Sequence, residues 1–233
     1  MEISFRNIVE LLSSLISKPS FSKEEDATAD ALESFFKLQD IKVNRKHNNI
    51  WVHNKYFDPS LKTILLNSHH DTVKPGSDWK KDPFTPIIED EKLFGLGSND
   101  AGASLVSLIS VFLQFYDVQD LNYNLIMLAS AEEEISGVNG VESVLRKIGK
   151  ISFGIVGEPT GMQMAIAEKG LMVLDCLAIG KSGHAARGTG MNAIYIAIGD
   201  IEWIRKYNFS LVSETLGPVM MTATMIESGS QHN

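Results

Sequence analysis

The sequence predicts an α/β fold built on a mixed, mainly parallel sheet and followed by a small α+β domain. Three observations predict it. Short apolar runs alternate with stretches of helical periodicity up to about residue 164. The order beyond that point becomes strand, strand, helix, strand. Residues able to hold a metal recur just after the apolar runs, where an open α/β sheet forms its crevice at the carboxyl ends of the strands.

Taken in order, Ile8, Leu11, Leu12, Leu15 and Ile16 recur at helical spacing, and Pro19 ends that segment. Ser22, with Glu25 three residues on, predicts a capping box that opens a second helix with Ala31, Leu32, Phe35 and Phe36 turned inward. Ile50–His53 and Thr63–Asn67 predict strands, the second covered on both faces. Two prolines make Asp82-Pro83-Phe84-Thr85-Pro86 a rigid loop, with Trp79 and Phe84 expected to pack in the core. After Gly95 and Gly97 the period turns helical through Leu105, Leu108, Ile109 and Phe112. Asn124–Ala129 and Ile151–Val156 read as buried strands with a short helix, Val138–Ile148, between them. In the second part, Met164–Gly180 reads as two alternating strands joined near Glu168-Lys169-Gly170. A helix over Asn192–Lys206 and a strand over Met220–Ile226 follow. The two domains are therefore 1–164 and 165–233.

With 233 residues the chain can build one good core and part of a second. Its 44% apolar and 21% charged residues are the mix of a soluble globular protein. A formal charge of -8 argues against nucleic acid, because phosphate binding needs clustered lysine and arginine. The single cysteine, Cys176, excludes an internal disulfide and a thiolate-rich zinc site. Its place in the alternation Leu174–Ile179 makes it an expected buried strand residue. Any metal must then be held by histidine and carboxylates. Met1–Ser20 is interrupted by Glu2, Arg6 and Glu10, unlike a secretory signal, and no run approaches the ~20 apolar residues of a membrane span. A cytoplasmic protein with no membrane partner is expected. Nucleotide binding is not: Gly95-Leu96-Gly97 is followed next by Gly102, and no P-loop lysine follows.

The chemistry-bearing residues share one placement. His69-His70-Asp71 follows the run Thr63–Asn67, Glu132-Glu133-Glu134 follows Asn124–Ala129, and Glu158 closes Ile151–Val156. Asp100 stands at the entrance of a helix after a glycine turn. Three consecutive glutamates repel one another unless a positive charge neutralises them. Imidazole with carboxylates suits zinc, cobalt or manganese. An aspartate bridging two such ions would hold them ~3.5–4 Å apart, and a glutamate that binds neither could take a proton from water. Among the other histidines, His70 is expected to be a spacer and His47 and His53 surface residues. His232 is open between a loop contact and no role.

Four segments carry a family resemblance: Ser68-His69-His70-Asp71-Thr72-Val73, Gly95-Leu96-Gly97-Ser98-Asn99-Asp100, Ala131-Glu132-Glu133-Glu134 and Gly157-Glu158-Pro159-Thr160. In that order they resemble the motifs of the M20 metallopeptidases, and the similarity runs from about Ile8 to Asn233. The family includes acetylornithine deacetylase, succinyl-diaminopimelate desuccinylase, aminoacylase and glutamate carboxypeptidase. The resemblance implies a zinc-peptidase-like catalytic domain and the first part of a lid and dimerisation domain. It also implies two Zn2+ per complete site, with Co2+ or Mn2+ possible, and a homodimer. His69 and Glu158 would serve one metal, Glu134 the other, and Asp100 would bridge them. Asp71 would orient the ring of His69, and Glu133 would be the general acid/base. His184, in Ser182-Gly183-His184-Ala185, would reach the neighbouring subunit's site and support the oxyanion. Asn233 would help bind substrate.

Overall similarity to the acetylornithine deacetylase branch, including Glu168-Lys169-Gly170, implies an N-acyl amino acid substrate. N2-acetyl- or succinyl-L-ornithine in arginine biosynthesis is the first choice. Succinyl-diaminopimelate, or the substrate of another M20 aminoacylase or carboxypeptidase, is the alternative. Two departures stand out: Leu96 where many members have arginine, and Ala101-Gly102 where they have Met-Lys. Family members also continue beyond Gly229-Ser230-Gln231-His232-Asn233 and supply a final histidine. On the Glu134 side this chain is therefore expected to offer only Asp100 and Glu134, its sheet is expected to have an open edge, and an inactive truncated homologue is a further reading.

Overall fold

The computed structural model describes residues 4–229, which divide after Met162 into two units. The first begins with α1 (Phe5–Ile16), started by Ser4, whose side chain and that of Asn7 make a reciprocal capping box. Ile8, Leu11, Leu12, Leu15 and Ile16 form its buried stripe. Helix α2 (Asp26–Lys37) follows, burying Thr28, Ala29, Leu32 and Phe36, while Ala31 and Phe35 are half-buried. The capping box expected at its start does not form: Glu25 stands at the cap without a side-chain bond to the helix. Ser22 and Glu25 are both used elsewhere, as described below.

The central sheet has the order β1-β2-β6-β3-β7, from β1 (Val43–Lys46), β2 (Asn49–His53), β3 (Lys62–His69), β6 (Tyr123–Ser130) and β7 (Phe153–Val156). Strands β6, β3 and β7 run parallel, while β2 is antiparallel to both β1 and β6. Strand β1, Val-Asn-Arg-Lys, has no apolar alternation, so sequence pattern alone does not announce it. A small hairpin, β4 (Ile87–Glu89) with β5 (Lys92–Phe94), lies between β3 and helix α3 (Ala103–Phe115). Helix α4 (Glu142–Ile148) precedes β7 and starts later than the expected Val138.

The two-residue period of the strands sorts their side chains into two cores. Ile50, Val52, Leu66, Leu125, Met127 and Ala129 pack with α1, α2 and α3. Trp51, Leu65, Ile126 and Leu128 pack with Val144 and Ile148 of α4. The first unit is thus helix, sheet, helix in layers, as an α/β fold requires. Strand β7 departs from expectation: it forms only over Phe153–Val156, pairs with β3 alone, and leaves Phe153, Ile155 and Val156 exposed. An edge strand lacks the second neighbour that would cover it. Trp79 is exposed, not core, and Phe84 is half-buried with its ring edge-on to Phe21.

In the second unit, helix α5 (Ala193–Lys206) forms as expected, with the Asn192 side chain accepting the Ile194 amide. The strands expected over Met164–Gly180 and Met220–Ile226 do not form among the described residues. The strands present are the two-residue pair β8 (Val212–Ser213) and β9 (Gly217–Pro218). Alternation provides a sheet face, but a strand also needs a laddered neighbour, and none of the described residues pairs with Met164–Ile179. Cys176, expected to be buried in such a strand, is exposed. Among the described residues no helix is long and apolar enough to cross a membrane.

Candidate metal centre

The parallel strands set the site. His69 ends β3 directly beside Ser130, the end of β6, and Asn67 of β3 is paired with Val156, the end of β7. The loops after three neighbouring strands therefore leave from one rim, the crevice where α/β sheets bind ligands. The fourth contributor enters from the side. Gly97, at φ 72, turns the chain in a conformation that a side chain disfavours, and a Cβ there would lie 2.6 Å from Thr72 Cγ2. The next residues, Ser98–Gly102, form a π-type turn in which Asp100 leaves helical geometry at φ −114, ψ 100.

His69 is 1% exposed and held at both ring nitrogens. Nδ1 lies 2.9 Å from the Asp71 carbonyl oxygen and 3.4 Å from Asp71 Oδ1. Nε2 lies 3.1 Å from Asp100 Oδ1, 3.8 Å from Glu158 Oε2 and 3.9 Å from Glu133 Oε2. Donor atoms of His69, Asp100 and Glu134 all lie within 4.8 Å of one another. The three carboxylates around Nε2 belong to segments well separated along the chain, so the sheet, and no local motif, assembles them.

Charge explains how these groups titrate. Burial alone would lower the His69 pKa, but the hydrogen bond and charge of Asp71, then the charges of Glu158 and Glu133, raise it to about 10. Glu158 is pushed up to about 6 by burial and by Glu133, Asp100 and Glu134, against the pull of His69. Glu134 is raised too, by burial first and then by Asp100. Acids driven toward their neutral form by one another form a site short of positive charge. Imidazole and carboxylate donors suit zinc, cobalt or manganese, so the residues present fit such an ion.

Asp71 is 0% exposed and works in two directions. Beyond His69, its carboxylate accepts the amides of Glu133 (3.1 Å) and Glu134 (3.2 Å) and the Ser22 hydroxyl (2.7 Å). Burial opposes its ionisation, yet these bonds and His69 hold its pKa below the usual carboxylate range. Ser22 thus serves the site and not a helix cap. Glu132 does not join the donors: its carboxylate accepts the Asn139 amide (3.2 Å) and Asn139 Nδ2 (3.0 Å). His70, expected to be a spacer, is buried, with Nε2 2.8 Å from the Asn48 carbonyl and Nδ1 2.9 Å from Thr28 Oγ1. His47 is exposed, and His53 is half-buried with its ring against Phe57.

His184 belongs to the second unit, where it is exposed, precedes the short turn Ala185–Arg187, and donates its amide to Thr189 Oγ1 at 3.1 Å. Asn233 and His232 lie outside the described residues. The residues missed by sequence reasoning are the supports: Glu25 and Thr28, which are buried, and Ser22, Asn48 and Asn139, which are half-buried. A signal existed only for Ser22 and Glu25, in their spacing, and it pointed to the wrong job.

Residues 65–228 match the sequence profile of Peptidase family M20/M25/M40. The chain belongs to this family. Two curated relatives illustrate its neighbourhood within M20. An acetylornithine deacetylase of Klebsiella pneumoniae is 32% identical over 84% of this chain and 55% of its own length. A succinyl-diaminopimelate desuccinylase of Wolbachia pipientis is 28% identical over 97% of this chain and 60% of its own. The chain therefore spans somewhat more than half the length of these relatives. Among solved structures, an M20 family metallo-carboxypeptidase of Sulfolobus solfataricus superposes with a TM-score of 0.52 and 29% identity, over 64% of this chain and 37% of that one. The mixed α/β architecture of this M20 chain is that of its family.

Proposed function

We propose that the protein is a metal-dependent amidohydrolase acting on an N-acyl amino acid, with N2-acetyl- or succinyl-L-ornithine as substrate. One observation carries the reading: His69, Asp100 and Glu134 present donor atoms within 4.8 Å of one another, and Glu133 stands beside that group without belonging to it. His69, Asp100, Glu134 and Glu158 would hold zinc, with cobalt or manganese as substitutes. When bound, the metal supplies a Lewis acid that polarises the acyl carbonyl and acidifies water.

The chain's own residues do the rest. Glu133, half-exposed and free of ligand duty, accepts the proton of the attacking water and passes it to the leaving amine. Asp71 keeps the His69 ring oriented while holding the amides of Glu133 and Glu134. His184 of the partner subunit donates to the oxyanion in a homodimer built by residues 165–233, and Asn233 contacts the substrate. The setting is arginine biosynthesis in the cytoplasm.

The 32% identity to an acetylornithine deacetylase supports the ornithine substrate, and the longer match to a desuccinylase supports succinyl-diaminopimelate as the second reading. The test is a panel of N-acetylornithine, N-succinylornithine, succinyl-diaminopimelate and dipeptides, offered to the zinc-loaded protein. Fastest acyl release from an ornithine derivative is expected. Fastest release from succinyl-diaminopimelate selects the second reading, and a dipeptide preference overturns both.

A further inference from the structure

We infer that Glu25 is a positioning residue for the metal-binding loop, acting through the main chain of Glu132. The inference rests on the reading that Glu134 holds metal. Glu25 is 0% exposed, and among the described residues no cation pairs with it. A buried carboxylate without a cation is a costly placement, tolerated where hydrogen bonds replace the lost water. Its own helix makes no use of it, since the cap position of α2 has no side-chain bond. Oε1 instead accepts the Lys23 amide (2.9 Å) and the Glu132 amide (3.0 Å), and Oε2 accepts Asn48 Nδ2 (3.0 Å).

Glu132 is where that hold matters. Its φ of 53 is left-handed, a conformation that costs a side chain energy and persists only when its surroundings over-determine it. The surroundings do so at every polar group: Glu25 takes the amide, Gly137 donates its amide to the carbonyl (2.9 Å), and Asn139 binds the carboxylate. The next two amides, of Glu133 and Glu134, go to Asp71. Three consecutive amides thus end on two buried carboxylates, from segments that precede and follow β1 and β2. Asp71 grips the loop at Glu133 and Glu134; Glu25 grips it one residue earlier, at the left-handed turn that aims both.

The test separates reach from charge by cobalt(II) titration, with the visible absorption band reporting ligand geometry. Glu25→Gln keeps an oxygen for the Glu132 amide and loses the charge. Glu25→Asp keeps the charge and withdraws the oxygens by about one C–C bond, ~1.5 Å. Glu25→Asp is expected to weaken cobalt affinity by about 10–100-fold and shift the band, with Glu25→Gln within about tenfold of wild type. A lowered melting temperature in Glu25→Asp with unchanged affinity and band would leave Glu25 a structural residue and overturn the inference; so would the reverse order of the two variants. Glu134→Gln separates the underlying reading: unchanged cobalt binding there refutes the ligand role of Glu134, whatever Glu25→Asp does. Should Glu25→Asp not fold, hydrogen exchange of the wild-type Glu132 amide decides. Exchange only through global unfolding supports the inference, and exchange at the rate of an open loop overturns it.

Discussion

Replacing Asp71 by Asn changes one atom and disturbs four partners. The retained oxygen can still accept the Glu133 amide, but the new NH2 group faces the Ser22 hydroxyl and the Glu134 amide. Ser22 can rotate and accept; a backbone N–H cannot. One orphaned amide costs about 1–3 kcal/mol, and the bonds that survive lose the strengthening of an ionised acceptor, about another 1 kcal/mol. With Asp71 0% exposed, solvent does not screen this, so the expected loss is about 2–4 kcal/mol in urea unfolding of the metal-stripped protein. The second readout is His69. Asp71 is the leading cause of its rise to about 10 against burial, so the midpoint of the His69 ring resonances should fall markedly. A stability loss under about 0.5 kcal/mol, or a His69 midpoint still near 10, would refute this account of the buried carboxylate.

Four further outcomes rest on the same geometry. His69 keeps its proton up to about 10 and Glu158 up to about 6 in the metal-free chain, so cation affinity should rise with pH. Calorimetry at neutral pH in buffers of different ionisation heat should show about one proton released per cation, and no buffer dependence would contradict it. For stability the sign is set by the same shifts. The His69 contribution is complete below its usual 6.5 and is lost as pH rises through about 10, while ionising Glu158 between 4.5 and about 6 lowers stability further. Between pH 4.5 and about 10, stability of the stripped protein should therefore fall with rising pH, and a flat profile in thermal melts over that window would count against it. Gly137→Ala should destabilise by about 1–3 kcal/mol in urea, because the added carbon would lie 2.0 Å from Glu132 Oε2 and 2.6 Å from its Cβ. Glu133→Gln should leave metal content unchanged and abolish turnover of the best substrate; retained turnover removes Glu133 from the proton-transfer role.

The parts legible in the sequence are those encoded locally. The apolar runs of β3 and β6 and the stripes of α1 and α3 announce themselves by period. Because His69 and Glu133-Glu134 come straight after those runs, their convergence could be anticipated from strand-end placement alone. What supports them could not. The bonds Ser22–Asp71 and Glu25–Glu132 span 49 and 107 residues, and the only local hint, the Ser-x-x-Glu spacing, fits a helix cap equally well. Strand β1 escapes because a polar edge hairpin has no alternation to read. Met164–Gly180 fails in the opposite way, since its alternation is clear but a strand depends on its neighbour as much as on its own residues.

The convergence of three strand ends and a side loop has a thermodynamic consequence. The site's contacts join His69 to Asp100 and to Glu158, and Asp71 to Glu134, so no fragment short of the assembled sheet contains it. An ion that recognises the complete donor set has no counterpart site in the unfolded chain, and its binding free energy is added to that of folding. At a free concentration one hundred times the dissociation constant, the gain is about 2.7 kcal/mol. Metal supply would then govern how long the chain survives as well as whether it acts, and variants that loosen the donor set should be recognised first by their turnover in a metal-poor cell.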